Sequence, residues 1–141
     1  MRVFIDSDSS GELITRRSRT GFSIFLNSAP IYWFSKRQTS VETSSFGSKF
    51  IAMKQCCEYV RVMPYKLSIM VIPIDFPTYI LGDNQYLLCN TSKPNSRLKK
   101  KSSSIAFHFV CEGTAKDEWQ TAYINTHLNP TNMLTKSLTG G

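Results

Sequence analysis

Toward the N-terminus, apolar and polar residues alternate as they do along a half-buried strand. Arg2 to Asp6 is a short strand that ends in an acid, and Gly21 to Leu26 is a second, with Phe22, Ile24 and Leu26 on one face. Between them, Gly11 to Thr20 is polar and basic and reads as a loop. Asn27-Ser28-Ala29-Pro30 is a turn signal, and Ile31 to Ser35 is a third strand with Trp33 at its centre. These spacings predict a three-stranded antiparallel meander. The period then changes. Phe46, Phe50, Met53, Cys57 and Val60 recur at steps of four and three, which is a helical stripe. Ser44 or Ser45 can cap this helix, and Pro64 stops it, so it is predicted over 45–63.

Pro73 and Pro77 bracket a loop, and Thr78 to Leu81 is a short apolar strand suited to the middle of a sheet. Gly82-Asp83-Asn84 opens a short helix that runs to about Cys89. The stretch from Asn90 to Ser104 is polar and basic. Ile105 to Glu112 reads as a helix stopped by Gly113, Trp119 to Ile124 as a last strand, and Thr131 to Leu138 as a short closing helix. The predicted order is β-β-β-α-β-α-α-β-α. That order describes an α/β domain with a mixed sheet flanked by helices.

Composition narrows the partners. Lys and Arg number 17 against 10 Asp and Glu, a net charge of +7, which favours a polyanion and nucleic acid first. The basic residues cluster at Arg16, Arg17 and Arg19, at Lys36 and Arg37, and at Arg97, Lys99, Lys100 and Lys101. Each cluster can contact phosphates, and each can equally be a solvated loop. The longest apolar run, Ile69 to Ile74, contains Pro73 and is far too short to span a bilayer, so no membrane partner is expected. The N-terminus meets an acid at once, which argues against a signal peptide. Cys56, Cys57, Cys89 and Cys111 form no C-x-x-C, and the histidines are only His108 and His127. Reduced core thiols in an intracellular protein, cytoplasmic or nuclear, are expected rather than zinc.

Two acids lie at predicted strand ends. Asp6 closes the first strand, with Asp8 two residues on, and Asp83 follows the short apolar one. Ligands gather at the carboxyl ends of strands in α/β sheets, and paired carboxylates suit a hard cation such as Mg²⁺. The plainer reading makes Asp83 a helix N-cap and Asp6 a turn acid.

A set of ordered motifs adds to this. Ile5-Asp6-Ser7-Asp8 and Thr15-Arg16-Arg17-Ser18-Arg19-Thr20-Gly21-Phe22 come first, then Pro30-Ile31-Tyr32-Trp33-Phe34-Ser35-Lys36-Arg37-Gln38. Ser44-Ser45, Gly82-Asp83-Asn84-Gln85 and Ile105-Ala106-Phe107-His108-Phe109 follow, and the series ends with Asn129-Pro130 and Leu134-Thr135-Lys136-Ser137-Leu138. In this order they resemble the ribonuclease H domain of Ty1/copia-type retrotransposon Pol polyproteins. The resemblance implies the ribonuclease H-like three-layer fold, one such domain over residues 1–141, cut short at its C-terminus, and a monomer originally fused to reverse transcriptase and integrase. It implies cleavage of the RNA strand of an RNA–DNA hybrid, with two Mg²⁺ (or Mn²⁺) ions held by four acidic positions.

Carried over residue by residue, the first acid is Asp6 and the third is Asp83. The second, a Glu in the family, is Lys49 here, and the fourth, an Asp in the family, is Asn132. A charged lysine has three donors and no acceptor, so it cannot ligate a metal. At ~4 Å and an effective dielectric of ~20, like unit charges repel by roughly 4 kcal/mol. Two-metal catalysis is therefore expected to be lost or very weak. Asp8 and Glu42 are candidate substitutes, and Lys49 has the alternative of snorkelling to solvent. His127 matches a loop histidine that assists the reaction in ribonucleases H, or is a plain surface residue. A domain that still binds hybrid without cutting it, and a nuclease with rearranged ligands, are the two alternatives.

Overall fold

The computed structural model describes residues 1–8, 14–42, 44–74, 77–92 and 104–136. Alternation along the N-terminal half produces β1 (Arg2–Asp8), β2 (Arg19–Leu26) and β3 (Ala29–Arg37). They pair antiparallel as a meander, Asp6 opposite Gly21 and Gly21 opposite Ser35. The register shifts between Ile24 and Phe25, a bulge that ends the strict alternation predicted through Leu26. β4 (Thr78–Gly82) adds parallel to β1, and β5 (Trp119–Tyr123) adds parallel to β4. The sheet therefore has the order β3-β2-β1-β4-β5, with the buried β1 at its centre.

One face of this sheet is covered by α1 (Ser45–Ile69), α2 (Gln85–Ser92) and α3 (Ser104–Ala115). Val3, Ile5, Phe22, Ile24 and Ile80 meet Phe50, Met53, Cys57 and Val60 there in one core. The predicted stripe of α1 is thus its buried face. Ser44 caps the helix, its side chain accepting from Gly47 N. Among the described residues, the other face carries only α4 (Asn132–Thr135), which lies over β1, β2 and β3 at one end. Gly21 makes that approach work, because an added Cβ would lie 2.7 Å from Thr135 Cγ2.

Two predicted helix stops are not stops. Pro64 lies inside α1, which continues to Ile69. Buried Leu67 fastens the last turns to the core, and its carbonyl accepts from Met70 N and Ile72 N beyond the helix. Tertiary packing here outweighs the local preference against proline. Gly113 lies inside α3. Its missing Cβ is filled by the Trp119 indole, which an added Cβ would meet at 2.0 Å. The chain instead reverses at Asp117, whose φ is 54°. The closing helix is also shorter than predicted, because Lys136 is already extended, and the residues toward Leu138 lie outside those described. Among the cysteines, Cys56, Cys57 and Cys111 are buried as expected, but Cys89 is exposed. Burial pushes the Cys56 thiol well up from its ordinary range. No described helix is long and apolar enough to cross a membrane.

Candidate functional site

Strand alternation aims Val3, Ile5 and Ser7 at α1, with Ser7 Oγ donating to Ser48 Oγ at 3.3 Å. Asp6 therefore points to the opposite face, where α4 closes over it. Its carboxylate is 7% exposed, and its Oδ2 accepts from Thr135 Oγ1 at 2.6 Å. β4 ends at Gly82 beside β1, which delivers Asp83 to the same end of the sheet. Asp83 is not the cap of α2. Asn84 Oδ1 accepts from Leu87 N at 2.9 Å and does that work, which leaves both Asp83 oxygens for the site. Asp83 Oδ2 accepts from Thr126 Oγ1 at 3.0 Å.

Lys49 joins the two acids. It lies on the first turns of α1, next to buried Ser48. Its ammonium donates to Asp83 Oδ1 and lies 3.7 Å from Asp6 Oδ1, with the lysine side chain 20% exposed. It does not snorkel to solvent. A primary amine has three donors, and here two carboxylates face it. Asn132, at the start of α4, donates from Nδ2 to the Thr126 carbonyl, and its buried Oδ1 has no hydrogen-bond partner among the described residues. The cavity left among Asp6, Ser7, Lys49, Ala52, Asp83 and Leu87 is about 10 Å³, about the room of one water. Among the described residues, no three His, Cys, Asp or Glu side chains come together as a metal ligand set.

The two candidate substitutes, Asp8 and Glu42, lie in different places. β1 continues through Asp8, so alternation does put Asp8 on the face of Asp6. Burial there, then the Asp6 charge, raises the Asp8 carboxyl, and only Lys136 lowers it. Glu42 lies over Gly47, where an added Cβ would collide with its carboxylate. It faces the start of α1, which suits the positive end of a helix. His127 is exposed on a single 3-10 turn, Thr126–Leu128, and its backbone N–H donates to Asn125 Oδ1 at 3.0 Å.

The basic residues divide. Arg19 and Arg37 face each other across β2 and β3, Lys36 pairs with Thr20, and exposed Arg16 and Arg17 precede β2. Arg97, Lys99, Lys100 and Lys101 lie outside the described residues. Three contributors had no role assigned from the sequence: Thr126, and Thr135 and Asn129, which appear only inside the ordered motifs. Buried Asn129 donates to the Ile5 carbonyl at 2.8 Å and accepts from Thr131 N at 3.1 Å, which ties the loop before α4 to β1. Its only signal is the Asn129-Pro130 pair.

No protein-family model matches the chain. Over 98% of its length it is 22% identical to the retrovirus-related Pol polyprotein from transposon RE2 of Arabidopsis thaliana. Over 96% it is 23% identical to the Pol polyprotein from transposon TNT 1-94 of Nicotiana tabacum. The chain spans only 10% of the length of each. Among solved structures, LC11-RNase H1 in complex with an RNA/DNA hybrid, an enzyme isolated from compost, superposes at a TM-score of 0.70 with 11% identity. The match covers 95% of this chain and 92% of that one. RNase H1 from the archaeon Halobacterium salinarum superposes at 0.67 with 10% identity, over 95% and 92% of the two chains.

Proposed function

Taking the chain as a ribonuclease H-like domain related to the Ty1/copia-type retrotransposon Pol polyproteins, we propose that it engages hybrid nucleic acid without cutting it. One observation carries the reading: the Lys49 ammonium sits between Asp6 and Asp83 and occupies the place of a cation. The Mg²⁺ or Mn²⁺ implied by the fold does not fit these residues. A divalent ion prefers oxygen ligands, and Mg²⁺ keeps several waters. Here the carboxylates already share an ammonium, the cavity holds about one water, and Asn132 presents a neutral amide. No hydrolytic step is derived through a metal.

The chain's own residues support the binding half of the reading. Arg19, Lys36 and Arg37 lie at the end of β2 and β3 next to α4, and Arg16 and Arg17 lead into them. Such a rim attracts a phosphate backbone whether or not the centre cuts it. The solved relative of this fold that holds an RNA/DNA hybrid makes hybrid the first ligand to try.

The test measures Mg²⁺-dependent cleavage and binding of one labelled RNA–DNA hybrid. The unaltered chain should bind, more weakly as salt rises, and leave the RNA strand intact. The paired change Lys49→Glu with Asn132→Asp should restore cleavage. Turnover by the unaltered chain would overturn the reading.

A further inference from the structure

The sheet has a second surface that this reading does not use. α4 covers only one end of the face opposite α1. Below it, one row of the sheet runs from Trp33 on β3 through Ser23 on β2 to Phe4 on β1 and Leu81 on β4, with Tyr79 one row further on. Trp33, at the centre of its strand, is 68% exposed, and Tyr79, near the start of β4, is 46% exposed. Phe4 stacks edge-on against Phe25, with ring centroids 5.5 Å apart, which holds that part of the platform rigid. No described element covers these rings.

The charges around the platform choose the occupant. Arg2 lies at one end, in the row of Tyr79 and Phe25. Arg19 lies at the other, the α4 end opposite Asp8, and reaches back to donate to Ser35 Oγ at 3.3 Å, two residues from Trp33 along β3. The acids of this face, Asp6 and Asp8, are both at the α4 end. A second copy of the chain would bring arginines against arginines between molecules of net charge +7. A polyanion with flat, stackable groups meets no such repulsion. Exposed aromatic rings on a sheet, bracketed by arginines, are the chemistry that takes unpaired bases and their phosphates.

We propose that the open sheet face around Trp33 binds an unpaired nucleic-acid strand, with a base stacked on Trp33 and flanking phosphates on Arg2 and Arg19. This goes beyond the hybrid reading: Trp33 and Arg2 lie outside the basic rim, and the two surfaces share only Arg19. Hybrid and single strand can therefore succeed or fail separately.

Intrinsic fluorescence reports the contact directly. The chain has two tryptophans, and Trp119 is fully buried, so quenching by ligand comes from Trp33. A short oligouridylate should quench the unaltered chain. Trp33→Ala should weaken oligouridylate binding by about tenfold or more, Trp33→Phe should restore part of it, and Arg2→Ala should flatten its salt dependence. Neither Trp33 change should alter hybrid binding or the melting temperature, because the ring is largely in solvent. Unchanged oligouridylate affinity in Trp33→Ala, or no quenching of the unaltered chain, would overturn the proposal. So would sedimentation showing a dimer that Trp33→Ala dissociates, since the face would then belong to a second copy.

Discussion

Lys49→Met removes the ammonium while keeping most of the alkyl stem. Asp6 and Asp83 would then be two buried carboxylates without a shared counter-ion, 7% and 8% exposed. A unit pair at 3.7 Å is worth about 4 kcal/mol at an effective dielectric of ~20. Lysine 49 is partly exposed, so screening reduces this, and the stem's desolvation offsets more. Removing one partner of a buried pair costs roughly 3–5 kcal/mol in comparable sites. A loss of about 3 kcal/mol, or roughly 10 °C in Tm, is expected at neutral pH. The second half of the prediction is sharper. With the ammonium gone, Mn²⁺ or Mg²⁺ can take its place, and an ion at about a hundred times its Kd returns ~2.7 kcal/mol. Thermal melts with and without Mn²⁺ should show rescue of Lys49→Met and no response of the unaltered chain. Equal Mn²⁺ responses in both, or a variant as stable as the unaltered chain, would refute the argument that lysine stands in for a metal.

Two other perturbations probe the framework. Gly113→Ala puts a methyl group into the Trp119 ring, where a Cβ would lie 2.0 Å away. Neither the ring nor the helix backbone can give way cheaply, so a loss of about 3 kcal/mol or more is expected in chemical denaturation. Burial first, and then its hydrogen bond with Tyr59, pushes the Tyr32 phenol up to about 12 from 10.0. The raised value means that the folded state keeps this proton longer. Its contribution to stability is present below pH 10 and is lost as pH rises toward 12. Ultraviolet titration should find one tyrosine ionising near that upper value, and Tyr32→Phe should remove that step.

Much of this fold was legible in the sequence because its elements carry their own signals. The alternation of β1 to β3, the stripe Phe46–Phe50–Met53–Cys57–Val60 and the Ser44 cap are local patterns, and each became the element it predicted. The failures are places where a distant partner decides. Pro64 stays helical because Leu67 is anchored, and Gly113 serves the Trp119 ring rather than ending a helix. The site divides in the same way. Acids at strand ends announce Asp6 and Asp83. By contrast, Thr135 reaches Asp6 from 129 residues away, and nothing near a threonine in sequence signals that bond. Asp83 also looked like an ordinary N-cap until Asn84 was seen to hold that position. The resemblance placed Lys49 and Asn132 at the altered positions, but it could not say that the lysine would turn inward and bridge both acids. That follows from the helix start lying directly over β1, where Ser48 meets Ser7.

The central claim is that an ammonium has replaced the metals, and one measurement meets it most directly. The unaltered chain is incubated with a labelled RNA–DNA hybrid and Mg²⁺, at a concentration where binding is saturated, and the RNA strand is followed over time. The account predicts bound hybrid whose RNA strand stays full length. Bound hybrid whose RNA strand is cut in a Mg²⁺-dependent manner would contradict it.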